Sequence, residues 1–301
     1  MRYIPVFILI ILITLCLLGA GCTSPATPAT GRQITTITPA APGATPEPAV
    51  DNKTVTVAET GMPSLLARIE GEVNLSLCSL DQNISVAARS LGDTGISGSA
   101  ANSTLGGLAA SPRVIDAVTV TTDGVIAAVM PARFQGAIST TVANQSHIIK
   151  GLATGAPVLS TVFAAVEGFN ASAIVYPVRT TDGTLIGLVS VPFQPESLLS
   201  DAISPLVDAR VYEVTVIQAD GRVLYATNTS QVGMSSLNDP LFASRPDLTR
   251  FINRVASEDS GRGNYSVHDP ATNTNMTVEN YWTTVSLHGT PWRIVLDTVR
   301  E

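Results

Sequence analysis

The residues able to do chemistry are few and dispersed. The three histidines, His147, His268 and His288, are far apart and lack the H-x-x-x-H spacing that sets two imidazoles on one helix face around a metal. The three cysteines, Cys16, Cys22 and Cys78, form no C-x-x-C pair, and there is no G-x-S-x-G elbow or phosphate-cradling glycine motif. Adjacent acids such as Glu258-Asp259 fall in a stretch bounded by Gly and Ser, which reads as solvated surface. The expectation is a protein that is not an enzyme and uses neither metal nor cofactor.

Binding chemistry is easier to place. Between residues 112 and 207 a handful of polar side chains interrupt apolar runs: Arg133, His147, Lys150, Tyr176 and Arg179. A pocket for a small anion needs a cation or oriented N–H donors, because an unpaired charge away from water is costly. Arg133 follows a strand-like run, and its guanidinium can fork onto a carboxylate. His147 precedes Ile148-Ile149 and can donate to a ligand. Tyr176 projects opposite Val175 and Pro177, and Arg179 closes that run. Each has a plainer reading: solvated loop for Arg133 and Arg179, a packed or surface imidazole for His147, core packing for Tyr176. Arg133, His147, Tyr176 and Arg179 are the candidate ligand-binding residues, and the ligand class they suit is a small carboxylate or amine.

The formal charge of −7 and a pI near 5 provide no basic field for nucleic acid. Residues 1–22 read MRYIPVFILIILITLCLLGAGC. One basic residue, Arg2, precedes an uncharged run of 15 residues from Ile4 to Leu18, and Gly19, Ala20 and Gly21 lead to Cys22. That length suits a signal-peptide core and is short for a span needing about 20 residues. The end resembles the lipobox of secreted lipoproteins, with Gly19 where leucine is usual; the resemblance implies a diacylglyceryl group on Cys22. The other reading is an uncleaved signal anchor. Both place the rest of the chain outside the cell. Cleavage removes Arg2, leaving 16 basic against 24 acidic side chains. Such a surface will not adhere to anionic lipid by charge, so a lipid anchor must do the holding.

Nine of the 13 asparagines begin an N-x-[ST] triplet: Asn52, Asn74, Asn83, Asn102, Asn144, Asn170, Asn228, Asn264 and Asn275. Ser and Thr make up about a fifth of the chain, so chance gives ~2 or 3. These asparagines are glycosylation candidates on an exported chain. A lipobox joined to dense acceptor sites is similar in style to the envelope proteins of archaea.

The elements that must position the candidate residues follow from periodicity. Residues 23–58 begin with a Thr/Pro-rich stretch that cannot bury a core and reads as an extended stalk. From Met62 to Leu91 the apolar positions Leu66, Ile69, Val73, Leu77, Leu80, Ile84, Ala87 and Leu91 trace one stripe of a long helix, opened by Pro63 and closed by Gly92-Asp93. Cys78 falls nearly opposite the stripe, as a solvent-facing thiol or as half of a disulfide between paired helices. Asn102–Ala110 suggests a short helix. Strands are expected at Ile115–Val120, Val125–Met130, Ser172–Val178 and Leu185–Val191, with turns at Asp123-Gly124 and Asp182-Gly183. Gln145–Leu152 and Ala156–Ala165 are left open, and Pro195–Val207 is helical. The pattern then begins again: strands at Val214–Ala219 and Val223–Thr227, a helix at Leu241–Ala256, and strands at Tyr265–His268, Val278–Val285 and Trp292–Thr298. Two units of about five strands and a helix are implied.

In this order the residues resemble the extracellular double Cache sensor domain, two PAS-like antiparallel-sheet units on one long N-terminal helix, an α+β fold. The carriers are the striped helix, Ala110-Ser111-Pro112 before the first strand, and Pro177-Val178 with Asp182-Gly183 and Ile186-Gly187. In the second unit they are Asp239-Pro240 and Gly289 with Pro291-Trp292. The implied organisation is a lipoprotein signal peptide at 1–22, stalk at 23–58, helix and connector at 59–111, a membrane-distal unit at 112–207 and a membrane-proximal unit at 208–301. The resemblance implies a small-molecule ligand in the distal unit. The aromatic and arginine set of the amino-acid-binding branch is missing there, since Trp282 and Trp292 both lie in the second unit. It also implies a relay from the membrane-proximal unit to a transmembrane helix and a kinase, cyclase or chemoreceptor. The sequence departs from that pattern, ending at Glu301, and the expectation is a lipid-anchored sensor without its own transmitter, partnered by a membrane receptor. The alternative is a structural or adhesion glycoprotein of the envelope.

Overall fold

The computed structural model describes residues 61–164, 170–235, 246–269 and 273–300. The signal peptide, Cys22, the stalk, Asn52, Asp239-Pro240 and positions 241–245 of the expected second-unit helix lie outside the described residues.

Helix α1 (Met62–Thr94) is opened by Pro63 and stopped at Gly95, whose positive φ lets its N–H reach the carbonyl of Leu91. At 1.5 Å per residue it is about 50 Å long, enough to back both units. Its buried stripe runs Leu66, Ile69, Val73, Leu77, Asp81, Ile84, Ala88 and Leu91. Leu80 is only half-buried; the position the sequence gives to it belongs to Asp81. Cys78 is disulfide-bonded, which corrects the free-thiol reading, and its partner lies outside the described residues. Helix α2 (Gly98–Ala109) folds back beside α1.

The first sheet contains β1 (Ala117–Thr121), β2 (Ile126–Met130), β3 (Val158–Leu159), β5 (Asn170–Arg179) and β6 (Leu185–Phe193) in the order β2-β1-β6-β5-β3, with short β4 (Phe163–Ala164) also on β5. Helix α3 (Ser146–Thr154) covers one face. Sequence periodicity left this segment open because only His147, Ile148 and Gly151 are buried in its nine residues. Helix α4 (Pro195–Ile203) leads to the second sheet: β7 (Glu213–Gln218), β8 (Val223–Ala226), β9 (Gly261–Asp269), β10 (Thr274–Leu287) and β11 (Thr290–Arg300), in the order β8-β7-β11-β10-β9. Helix α5 (Pro246–Ser257) covers that sheet with Leu248, Phe251, Ile252 and Val255. Among the described residues all strand pairings are antiparallel and the strand order repeats, so this is the α+β architecture of a long helix followed by two PAS-like units.

Each sheet has an inner face on α1 and an outer face. The inner faces share one cluster with α1, including Ile174, Val178 and Phe193 from the first unit and Trp292, Ile294 and Leu296 from the second. The outer faces carry separate clusters, one beneath α3 and one beneath α5. The units also touch directly: Val162 N donates to Gln218 Oε1 at 2.8 Å, and Thr290 Oγ1 donates to Leu159 O at 2.7 Å.

Candidate functional site

The outer face of the first sheet is where α3 and the 3-10 turn at 132–137 enclose Val118, Val120, Ile126, Val129, Val175 and Leu188. A Cβ on Gly151 would stand 3.2 Å from Leu188 and Val175, so glycine lets α3 settle onto the strands. The face beneath α3 is thus packed with apolar side chains. The candidate residues distribute around it. His147 is buried in α3 and stacks on Phe163, with ring centroids 5.6 Å apart. Burial pushes its pKa down to about 4, so the imidazole is neutral at pH 7. Arg179, exposed at the end of β5, donates to the carbonyls of Gly183 at 3.0 Å and of Gly155, beyond the far end of α3, at 3.4 Å. Arg133 is exposed with its guanidinium 4.7 Å from the Phe134 ring centroid, and Lys150 is exposed on α3. Tyr176 is not among this group: its side chain leaves β5 on the inner face and packs toward α1. A separate groove of about 480 Å³ lies between α1, α2 and α4, lined in part by Ser79, Asn83, Ser90, Thr104 and Arg113. It holds none of the four candidate residues.

On the inner side, Asp81 joins three elements. Tyr176 OH donates to Asp81 Oδ2 at 2.9 Å, and His288 Nε2 meets Asp81 Oδ1 at 2.6 Å. The Tyr176 and His288 rings contact edge to face at 5.5 Å. One carboxylate on the shared helix therefore spends one oxygen on each unit. Asp81 raises the Tyr176 pKa together with burial, the larger cause, so the phenol keeps its proton.

The outer face of the second unit is built differently. Trp282 sits under α5, donating Nε1–H to Glu258 O at 3.2 Å, and Arg254 stacks on its ring at 5.0 Å. A Cβ on Gly261 would lie 2.3 Å from that indole, so the strand passes over it only as glycine. Beside this aromatic cluster the strands carry Asp297 and Asn280, both buried. Burial, and then the charge of Glu213, lifts the Asp297 pKa to about 7.

These two shifts act in opposite directions. His147 is lowered from 6.5, so the unfolded chain binds the extra proton first, and stability present above pH 6.5 is lost as pH falls toward 4. Asp297 is raised from 3.8, so its contribution is present below pH 3.8 and lost as pH rises through 7. His147→Phe keeps an aromatic ring against Phe163 and removes the first effect alone. Between pH 6.5 and pH 5 the unsubstituted chain should lose about 1.6 kcal/mol relative to this variant, read by urea unfolding at the two pH values. Equal changes in both proteins would exonerate the imidazole.

Sequence reasoning did not find Asp81, His288, Glu213, Asn280 or Asp297. A signal existed for two of them. Asp81 stands four after Leu77 and three before Ile84, on the apolar stripe, and Asp297 is a lone acid after Ile294-Val295-Leu296.

The family described as HK/GC/Chemotaxis protein-like, sensor domain, matches residues 75–195, from the middle of α1 to the start of α4. Among solved structures, an extracellular ligand binding receptor from Desulfohalobium retbaense is 30 % identical with a TM-score of 0.66, covering 80 % of this chain and 41 % of that one. The chain thus spans about two fifths of that receptor's length. The ligand binding domain of the Pseudomonas aeruginosa amino acid chemoreceptor PctB, in complex with L-Gln, is 17 % identical with a TM-score of 0.54, over 78 % of this chain and 88 % of that one. That of the Pseudomonas fluorescens chemoreceptor CtaA, in complex with L-isoleucine, is 15 % identical with a TM-score of 0.55, over 76 % and 87 %. No curated protein sequence matches. Among the described residues no helix is long and apolar enough to cross a membrane.

Proposed function

We propose that this chain is an extracytoplasmic small-molecule-binding sensor module, anchored by lipid on Cys22, which passes ligand occupancy to a membrane receptor. The observation that carries the reading is the sensor-domain match over residues 75–195, which are most of α1 and the whole first sheet. The chemoreceptor domains with the same architecture are complexed with amino acids, which favours ligands bearing an amine, a carboxylate or both. In the first unit Arg133 and Arg179 supply cations at the rim of the α3 face, and neutral His147 supplies one N–H donor within it. Tyr176 acts from the other face of the sheet, through Asp81.

A thermal-shift screen of the full chain in detergent against small carboxylates, amines and purines tests this. A ligand at 100 times its Kd stabilises by about 2.7 kcal/mol. For a carboxylate hit, Arg133→Ala should weaken binding roughly tenfold or more, by loss of a charged hydrogen bond. Unchanged affinity would place the pocket elsewhere. The anchor is read by peptide mass. A diacylglyceryl adduct on the peptide that carries Cys22 supports the anchor, and an unmodified Cys22 refutes it.

A second reading, a structural or adhesion glycoprotein of the envelope, draws on one observation. All eight described sequon asparagines, Asn74, Asn83, Asn102, Asn144, Asn170, Asn228, Asn264 and Asn275, are at least partly exposed, whereas Asn280, outside any sequon, is fully buried. A blank ligand screen with glycans found on these residues would favour it.

A further inference from the structure

Across the outer face of the second sheet, Glu213, Asp297, Asn280 and Gly263 stand directly opposite one another on β7, β11, β10 and β9. Side chains so paired have Cβ atoms about 5 Å apart, so the three polar groups form one row. The row is flanked by apolar neighbours two positions along each strand: Val295 and Trp282 on one side, Val278 and Tyr265 on the other. Phe251 of α5 closes over it, with its ring edge 3.4 Å from where a Gly263 Cβ would be.

The row is short of partners. Asn280 is 0 % exposed, and neither its Oδ1 nor its Nδ2 makes a hydrogen bond; Asp297 Oδ1 is equally buried and unbonded. The amide turns toward Asp297 and biases that carboxyl downward, without reaching hydrogen-bond geometry. Glu213 is half-buried, accepts from Gln231 Nε2 at 3.1 Å, and opens the row to solvent at its end. A proton shared between Glu213 and Asp297 would satisfy the carboxyl but leave both atoms of Asn280 stranded. Buried polar atoms without partners are rare because each forfeits its hydration for nothing. Gly263 puts no side chain over the row; a Cβ there would stand 3.0 Å from Asn280 Oδ1, 3.4 Å from Phe251 and 3.7 Å from Arg254 Nη1, so a ligand enters only as the Phe251 ring swings aside.

We infer that the Glu213–Asp297–Asn280 row is a second ligand site, in the second unit, for the ammonium group of a small primary amine. Three oxygens of the row, one from each residue, match the three N–H donors of an ammonium, and its positive charge offsets two neighbouring acids. Asn280 Nδ2 remains to donate to an acceptor on the same ligand, and Trp282, Phe251 and Tyr265 receive its carbon skeleton. The site is independent of the ligand proposed for the first unit, and its failure leaves that reading intact.

The test titrates the full chain with ethylammonium, using ethanol and tetramethylammonium as controls that lack the charge or the N–H donors. Ethylammonium should raise Tm and change Trp282 emission, and the controls should not. Asp297→Asn, which keeps the shape and removes the charge, should weaken binding roughly ten- to a hundredfold, and Glu213→Gln by less. Asp220→Asn removes the same charge from the exposed β7–β8 turn and should leave affinity as it was. Near-ultraviolet circular dichroism confirms that each variant is folded. No response up to roughly 100 mM, where a ~1 mM site would be full, overturns the proposal. So does equal affinity in Asp297→Asn, or a crystal structure with ethylammonium showing ordered water alone on the row.

Discussion

Gly92→Ala should be among the most damaging single-methyl changes this fold can suffer, while Gly71→Ala on the same helix should be harmless or better. A Cβ at Gly92 would lie 2.0 Å from the carbonyl oxygen of Arg179, a backbone atom at the end of β5 that no side-chain rotation can clear. Either the last turn of α1 or the edge of the first sheet must move. Overpacking of this kind typically costs 1 to 3 kcal/mol, and a backbone obstacle puts it at the upper end, about 3 kcal/mol. In a domain of this size that lowers Tm by roughly 6 to 12 °C. At Gly71, exposed on α1, a Cβ would meet nothing within 4 Å. There the gain in helix propensity dominates, and alanine should add about 0.5 to 1 kcal/mol. The pair isolates contact from propensity, since both glycines are helical and the substitution is identical. Scanning calorimetry of the two variants decides it. Similar small shifts in both would mean that α1 does not approach β5 as closely as described.

The contrast between these glycines also shows where sequence reading stops. The α1 stripe, the Asp123-Gly124 and Asp182-Gly183 turns and the repetition of strand pairs are local patterns, and they lead to the right architecture. Gly92 reads in sequence as a helix terminator, yet α1 continues to Thr94. Its role is to let β5 approach, a contact between positions 87 apart that no periodicity encodes. Tyr176 illustrates the same limit at the candidate site. Alternation along β5 shows that it projects opposite Val175, but which face meets α1 is decided by the packing of the whole sheet. His147, Arg133 and Arg179 do fall on the α3 side, because polar residues interrupting the apolar runs there mark its edges. The Glu213–Asp297–Asn280 row was invisible because its members come from three strands, and only register brings them opposite each other.

Removing the Asp81 carboxylate should loosen the two units from each other at a point where one side chain of α1 holds both. Asp81→Ala leaves Tyr176 OH and His288 Nε2 without their acceptor in a largely buried setting. Losing one member of such a buried set costs about 3 to 4 kcal/mol, more than any one of its hydrogen bonds is worth. Tyr176→Phe alone should cost about 1 kcal/mol. His288 needs a subtler substitution, because it sits with Gly289 in the tight β10–β11 turn at a φ of 50°, a conformation asparagine adopts more readily. His288→Asn therefore improves the local backbone while withdrawing the imidazole. The clasp should outweigh the turn, giving a net loss of about 1 kcal/mol; a neutral or stabilised variant would show that the turn dominates. The double variants carry the decisive reading. If Asp81 is the common acceptor, adding Tyr176→Phe to Asp81→Ala should cost almost nothing further, and adding His288→Asn should return only the gain in the turn, a non-additivity of about 1 kcal/mol in the first cycle and more than that in the second. Urea unfolding of the six proteins measures it. Simple additivity would mean that first-unit strand and second-unit hairpin are held by separate contacts, and that a ligand-driven shift of β5 has no direct purchase on the β10–β11 turn through this helix.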